Sequence, residues 1–351
     1  MRLPRLARSL LLSLTVSLAL ALAACSSGGS DGSQPVRLRL GYFPNLTHAQ
    51  PLVGLARGTF QEHLGPDATL ETKTFNAGPS AIEALFAGEI DAAYIGPNPA
   101  INGYVRSNGK DLRIVAGAVS GGALLVVRPA AQIQRPADLA GKRLASPQLG
   151  NTQDVALRAY LQAHGLAARE QGGSVTVVPT ANPDILTLFR KGEIDGAWVP
   201  EPWATRLVQE AGGQIFLDER ELWPGGTFAT TLLVVRTRFL EEHPDAVHHL
   251  LRAHVETTRF IQDHPDEAKL LINQGIQELT GQALPQAVID GAWGHLEVTY
   301  QPMVASLTKA ADDAFALGFL GEKRPDLSGI YALDPLNAVL RDLGLPPAKE
   351  E

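Results

Sequence analysis

Cysteine is nearly absent: the 351 residues hold one, Cys25. No internal disulfide can form, and structural zinc sites built from paired cysteines are excluded. Lysine- and arginine-rich runs are missing as well, and 30 basic residues stand against 37 acidic ones, a net charge of -7. The chain therefore has no patch that would neutralise a phosphate backbone by counterion release, which argues against a nucleic-acid partner. The H-E-x-x-H, Walker and G-x-G-x-x-G signatures are absent, so neither a zinc hydrolase nor a nucleotide-binding motif is legible. Aromatic residues make up 6%. What remains is an ordinary globular composition, 45% hydrophobic and 19% charged with 34 glycines and 24 prolines. The length predicts two lobes, each large enough to bury its own core without staples.

One long apolar run exists, and it lies at the N-terminus. Arg2, Arg5 and Arg8 precede Leu10 to Ala24, broken only by Ser13, Thr15 and Ser17, which reads as the charged and hydrophobic regions of an export signal. The run is shorter than the roughly 20 residues a spanning helix needs. Small residues lead into the lone cysteine as Leu22-Ala23-Ala24-Cys25. That ending resembles the bacterial lipobox, which implies cleavage before Cys25 and lipid on its thiol, enough to hold a soluble protein on a membrane surface outside the cytoplasm. Removing residues 1–24 leaves 27 basic residues against 37 acidic ones, a net charge of -10. Ser26 to Gln34 reads as a flexible tether, so 25–35 is taken as linker.

From Val36 onward, β-rich runs alternate with helical patterns. Val36 to Tyr42, Thr69 to Phe75, Leu112 to Val119, Ser174 to Val178 and Gln214 to Leu217 read as strands. Pro79 to Phe86, Thr152 to His164 and Pro183 to Arg190 read as helices. The alternation predicts an α/β fold with mostly parallel sheets. Beyond Arg236 the pattern turns helical: Asp245 to Ile261 carries Val247, Leu250, Leu251, Val255 and Thr258 on one stripe, and Pro265 opens a second helix.

Two internal echoes add topology. Gly88-Glu-Ile-Asp-Ala-Ala-Tyr-Ile-Gly-Pro-Asn-Pro-Ala100 recurs as Gly192-Glu-Ile-Asp-Gly-Ala-Trp-Val-Pro-Glu-Pro-Trp-Ala204, and Leu124-Leu-Val-Val-Arg128 recurs as Leu232-Leu-Val-Val-Arg236. Together they suggest two related lobes, the second inserted into the first: 36–123 and 232–351 for the first with the C-terminal helices, 124–231 for the second. The chain would cross near Ala123 to Arg128 and return near Thr231 to Arg236.

Ligands in such sheets sit beyond the carboxyl ends of the strands, where loops enter helix N-termini. The loops at that edge include Tyr42 to His48, Asn76 to Ser80, Gly96 to Pro99, Gln148 to Gln153 and Pro200 to Trp203. They are rich in Gly, Asn, Ser and Thr and hold no cluster of acids or bases. Helix N-termini there offer unpaired amides to a small anion, with Ser80, Asn151 and Thr152 as neutral donors; each also serves as an ordinary N-cap. Tyr42, Phe43, Trp198 and Trp203 suit either a pocket wall for an apolar tail or core packing. Glu201 would repel an anion unless the ligand carries an amine or the acid is paired. His48 lies on a cleft loop, whereas His243, His248, His249 and His254 have no zinc-ligand spacing and read as a solvated helix face. Nucleophile, base and metal ligands are all missing from these loops.

The chain at this point resembles the substrate-binding lipoproteins of ABC importers for aliphatic sulfonates, taurine and nitrate. Gly41-Tyr-Phe-Pro44, Phe75-Asn-Ala-Gly-Pro79, Leu85-Phe-Ala-Gly-Glu-Ile-Asp91, Asp138-Leu-Ala-Gly-Lys-Arg143 and Gly192 to Trp203 carry the likeness, which spans Val36 to about Leu345. The resemblance implies a two-lobed periplasmic-binding-protein fold of the second type. It implies closure on a small oxyanion without cofactor, contacts from Ser80, Asn98, Asn151, Thr152 and Gln153, and delivery to a permease and its ATPase by a monomer. With Tyr42, Phe43, Asn45, His48, Gly78, Glu201 and Trp203, these make up the candidate ligand site. Related binders tend to have an aromatic-Asp-Pro element where this chain has Pro200-Glu201-Pro202; an acid there would suit an amine such as taurine's. The ligand class expected is an aliphatic sulfonate, with nitrate, bicarbonate or a thiamine-pyrimidine precursor as alternatives. A pyrimidine-forming enzyme on the same fold is a further alternative, although such enzymes rely on cleft histidine and cysteine. A sensory module is a third class, and no kinase or signalling domain is legible in the sequence.

Overall fold

The computed structural model describes residues 35–349. The expected export signal, Cys25 and the expected tether from Ser26 to Gln34 lie outside the described residues. The fold is α/β and two-lobed. The chain opens with β1 (Val36–Tyr42), a 3-10 turn (Leu46–His48), α1 (Ala49–Ala56), α2 (Thr59–Leu64) and β2 (Ala68–Thr74). It continues through α3 (Gly78–Phe86), β3 (Ala92–Ile95), α4 (Pro97–Arg106) and β4 (Leu112–Gly121). A second sheet then takes β5 (Ala123–Val127), β6 (Arg143–Ser146), β7 (Thr176–Pro179), β8 (Gly196–Pro200) and β9 (Gln214–Asp218). Its helices are α5 (Thr152–Ala163), α6 (Asn182–Lys191) and α7 (Trp203–Ala211). The chain returns through β10 (Ala229–Arg236), α8 (Thr237–Glu242), α9 (Pro244–Asp263), α10 (Pro265–Thr280), α11 (Gln286–Trp293), β11 (Leu296–Val298), α12 (Val304–Ala316) and α13 (Asp334–Asp342). Strand order is β11-β4-β10-β3-β1-β2 in the first sheet and β7-β6-β8-β5-β9 in the second; the sheets are mixed rather than mostly parallel, because β10 and β5 each pair antiparallel on both sides.

The sequence echoes mark one design used twice. In the first sheet β10 runs antiparallel to β3 with Leu232 opposite Ile95 and Leu233 opposite Tyr94; in the second β5 runs antiparallel to β8 with Leu124 opposite Val199 and Leu125 opposite Trp198. The registers are equivalent residue for residue. Gly88 and Gly192 both sit at positive φ, 68° and 73°, a left-handed conformation that costs glycine nothing. Asp91 and Asp195 then do the same work: each carboxylate accepts the amide of an arginine on the neighbouring parallel strand, Arg39 at 3.1 Å and Arg143 at 2.8 Å. Each Leu-Leu-Val-Val strand is buried on both faces, its side chains alternating between two cores, which is why it reads as a continuous apolar run.

The chain changes sheets just before each of these strands rather than within it. The first crossing is Gly121–Gly122, both at positive φ (73° and 74°); the return is residues 219–228. The two crossings lie side by side, with the Gly121 amide donating to the Phe228 carbonyl at 3.2 Å and the Thr230 hydroxyl donating to the Gly121 carbonyl. In α9, Val247, Leu250, Leu251, Val255 and Thr258 are all fully buried, as the stripe predicts. His254 departs from the solvated face expected for it. It is fully buried, with Nδ1 2.9 Å from the Tyr94 hydroxyl and Nε2 2.9 Å from the Gly117 carbonyl, because it faces the sheet beside the apolar stripe. His243, His248 and His249 are half-buried.

Candidate functional site

The loop after β1, the turn after β3, the start of β10 and the N-termini of α5 and α6 meet between the lobes around a small cavity. The first lobe contributes Phe43, Asn45, Thr47, His48, Asn76, Gly96, Thr230 and Thr231, and the second Asn151, Thr152, Gln153, Asn182 and Pro200. None of these residues carries a formal charge with histidine neutral. The cavity is small, about 20 Å³, a little above the ~10–15 Å³ that one water molecule needs.

The cavity wall holds polar groups that the protein leaves unspent. Thr152 Oγ1, Thr231 Oγ1 and Asn182 Oδ1 are buried with no hydrogen-bond partner among the described residues. Thr231 is 1% exposed, Asn182 4% and Thr152 5%. A buried hydroxyl or amide without a partner costs about 1–3 kcal/mol by the measure of protein mutations, so such groups clustered on one cavity point to a ligand that satisfies them. Hydroxyls rotate to donate, and a half-turn of the Asn182 amide exchanges its oxygen for an N–H donor.

His48 adds a donor of fixed tautomer. The Phe43 amide donates to its Nδ1 at 3.3 Å, and the two rings pack tilted by 33° with centroids 4.3 Å apart. Burial pushes the imidazole down to about 3. The ring is thus neutral at physiological pH, and with Nδ1 accepting, its proton sits on Nε2. At the head of α5, Asn151 uses its side chain elsewhere: Oδ1 accepts the Gly78 amide at 3.4 Å and Nδ2 donates to Gln153 Oε1 at 3.1 Å. The helix consequently has no side-chain cap. Its first amides, those of Thr152 and Gln153, have no intrahelical carbonyl to reach and stand at the cavity wall. The nearby Asp154 carboxylate is fully occupied by Ser146 Oγ (2.7 Å), the Gly150 amide (2.9 Å) and buried Arg158 (3.1 Å).

The lobes touch around this cavity. Besides the Gly78 to Asn151 bond, Ser80 Oγ donates to Gln148 Oε1 at 3.2 Å and Trp203 Nε1 donates to Asn45 Oδ1 at 2.9 Å. Gly96 lies so close to the facing lobe that a Cβ there would stand 2.1 Å from Thr152 Oγ1. A larger space of about 450 Å³ adjoins the cavity and shares Asn45, Asn76 and Asn182 with it.

Of the residues singled out from sequence, Phe43, Asn45, His48, Asn151, Thr152 and Gln153 line the cavity. The others lie elsewhere. Tyr42 belongs to the first lobe's core. Gly78 and Ser80 bridge the lobes, and Ser80 is exposed. Asn98 is turned to the Ala310 carbonyl at 3.2 Å, and Trp203 walls the larger space. Glu201 is fully buried, accepting the Thr205 amide (3.0 Å) and hydroxyl (2.9 Å) and meeting His295 Nδ1 at 2.6 Å. Trp198 is core, its indole donating to Glu219 at 2.8 Å. Thr47, Asn76, Gly96 and Pro200 lie in loops that the sequence placed at this edge, though none was singled out, and Asn182, Thr230 and Thr231 were passed over. The available signal was the pair Thr230-Thr231 heading an otherwise apolar strand, and Asn182 preceding a proline-started helix. Among the described residues no three His, Cys, Asp or Glu side chains group as a metal site, and no helix is long and apolar enough to cross a membrane.

Comparison with known proteins adds three findings. Residues 31–274 match the NMT1-like family. The taurine-binding periplasmic protein of Escherichia coli K12 is 28% identical over 225 residues, 64% of this chain and 66% of that protein; the chain thus matches just under two thirds of that relative's length. Two solved structures share the fold. The alkanesulfonate-binding protein SsuA of Xanthomonas axonopodis pv. citri, bound to MOPS, superposes with a TM-score of 0.71 at 20% identity, covering 86% of this chain and 100% of that one. The periplasmic nitrate-binding protein NrtA of Synechocystis PCC 6803 gives 0.74 at 17%, covering 89% and 90%.

Proposed function

The chain belongs to the NMT1-like family, and from that membership and the cavity between its lobes we propose that it is an extracytoplasmic solute-binding protein of an ABC importer. Its ligand is a small oxyanion, foremost an organic sulfonate. The observation that carries this reading is the trio Thr152 Oγ1, Thr231 Oγ1 and Asn182 Oδ1, buried and unpartnered around a charge-free cavity. Neutral donors, a neutral His48 and the open amides of α5 hold an anion without a permanent countercharge, so the site neither binds cations nor loses all affinity as salt rises. The names of the E. coli and Xanthomonas proteins, taurine-binding and alkanesulfonate-binding, support the ligand class. NrtA, named for nitrate, supports the oxyanion more broadly.

In this reading the chain up to the Gly121–Gly122 crossing and from β10 (Ala229–Arg236) onward forms one lobe and the stretch between the crossings the other, so the boundary expected after residue 231 moves back to the start of β10. The lobes rotate about the paired crossings at Gly121–Gly122 and residues 219–228. Phe43, Asn45, His48, Asn151, Thr152 and Gln153 contact the head group, and Cys25 carries the lipid that keeps the mature chain at the outer face of a bacterial membrane. The protein delivers its ligand to a permease and does no chemistry on it. A thermal-shift panel on protein stripped of carried-over ligand tests the function. Saturation at about 100 times Kd adds roughly 2.7 kcal/mol of stability, which raises the midpoint by a few degrees. A rise with sulfonates, or with sulfonates and nitrate, supports the reading; no rise with any oxyanion overturns it.

A further inference from the structure

The head-group cavity adjoins a larger space, and resting on the oxyanion reading of that cavity we propose that the ligand spans both, carrying a bulky apolar tail, aromatic or branched, and no cationic group. The two spaces are neighbours, since Asn45, Asn76 and Asn182 wall both. An anion seated against Thr152 and Thr231 has about 450 Å³ next to it for a substituent. That is far more than a two-carbon chain fills, and within the range of pockets that enclose whole organic ligands.

The walls are mixed, with an apolar part that a tail can cover. Leu186 of α6, Ile276 of α10 and Leu284 beyond it are buried, and Phe75 and Trp203 add aromatic faces from opposite lobes. The charged groups of this space are Arg190, Arg206 and Glu210. Glu210 accepts from Arg206 Nε at 2.8 Å and Nη2 at 3.2 Å and from Arg190 Nη2 at 2.5 Å, so both of its oxygens are engaged and one positive charge is left over. The Arg206 guanidinium also lies 4.7 Å over the Trp203 ring, which fixes it against the wall. An ammonium entering here finds no free carboxylate and a surplus of like charge. Glu201, the acid that the sequence places nearest the cleft, is spent on Thr205 and His295 inside the protein. The specificity inferred is the opposite of an amine-bearing ligand such as taurine.

Titration calorimetry on the full chain, stripped of ligand, decides it with four compounds that share one head group: ethanesulfonate, taurine, benzenesulfonate and naphthalene-2-sulfonate. The aryl compounds bind roughly tenfold or more tighter than ethanesulfonate, because their rings leave water for apolar walls. Taurine binds roughly tenfold or more weaker than ethanesulfonate, because its ammonium is desolvated without a partner. Thr187→Trp, on the exposed face of α6 that borders the space, fills it and removes the aryl advantage. It leaves ethanesulfonate within about threefold of the unsubstituted protein. If taurine matches or exceeds ethanesulfonate, or the aryl compounds gain nothing, the tail proposal is overturned and the head-group site stands. If none of the four binds, the sulfonate reading of the head-group site falls and the tail proposal with it. The order among the four in the unsubstituted protein settles the matter even if Thr187→Trp proves unstable.

Discussion

Replacing Thr152 by valine separates the needs of the ligand from those of the fold. The two side chains have nearly the same shape, and the change removes one hydroxyl. In the structure that hydroxyl is buried and donates to nothing, so deleting it costs the ligand-free protein no internal hydrogen bond. It spares a desolvation penalty of about 1 kcal/mol or more to the extent that water does not reach the group. The free protein is therefore unchanged or stabilised, by up to about 1 kcal/mol, and its midpoint moves upward by 0 to roughly 3 °C. Binding moves the other way. A hydrogen bond to a charged acceptor is worth about 1.5–3 kcal/mol, so the dissociation constant for a sulfonate rises roughly 10- to 150-fold. Urea unfolding without ligand and calorimetry with ethanesulfonate measure the two effects on one preparation. A variant that loses 1 kcal/mol or more of stability and binds as before would refute the assignment of this hydroxyl to the ligand.

Acid should weaken the fold in a way that names its groups. His48 and His254 are buried and neutral, at about 3 and about 4, below the ordinary value near 6.5. The unfolded chain therefore takes up protons that the folded one refuses. Their stabilisation is complete above about pH 6.5 and is lost toward pH 4, at up to about 1.4 kcal/mol per pH unit each. Glu219, which burial raises to about 7, works oppositely: the folded state keeps a proton that the unfolded one gives up, and that contribution is lost as pH rises through 7. Glu219→Gln should thus steepen the acid-side loss by up to about 1.4 kcal/mol per pH unit between pH 5 and 6.5, measured by denaturation at stepped pH; an unchanged slope contradicts it. Glu201→Ala should destabilise by about 3–5 kcal/mol, because His295 and Thr205 lose a buried partner. The milder Glu201→Gln should leave the ratio of taurine to ethanesulfonate affinity unaltered, and a change in that ratio would place the carboxylate at the ligand. Cys25→Ser should abolish incorporation of labelled fatty acid and release the protein from membranes; retention with the same label would remove the anchor.

The two-lobe fold was legible because its cues are local and repeated. Proline opens α3, α4, α6, α9, α10 and α13, and each Gly-Glu-Ile-Asp turn marks the entry to a strand paired with a Leu-Leu-Val-Val partner. The first-lobe loop from Phe43 to His48 and the head of α5 were legible for the same reason, as polar turns entering helices. What was not legible is which polar side chain is spent inside the protein. Asn98 and Thr152 both begin helices, yet Asn98 is taken up by the Ala310 carbonyl, and α12 lies far along the chain. Glu201 is neutralised by His295 from the opposite lobe, a pairing no local pattern announces. Thr231 escaped notice because a threonine in a buried strand reads as β-branched filler. His254 escaped because its partners, Tyr94 and Gly117, come from β3 and β4.

Gly96→Ala tests the central claim that an oxyanion is captured between closed lobes. Gly96 has φ -74°, which alanine adopts without strain, so the methyl group acts only where it would stand, 2.1 Å from Thr152 Oγ1 across the cleft. Calorimetric titration of ligand-stripped wild type and Gly96→Ala with ethanesulfonate should give tight binding in the first. In the second, affinity should fall roughly 100-fold or more, as a misplaced cleft wall costs about 3 kcal/mol. Equal affinity in the two proteins would show that the ligand does not lie between Gly96 and Thr152, and the account of the site would be wrong.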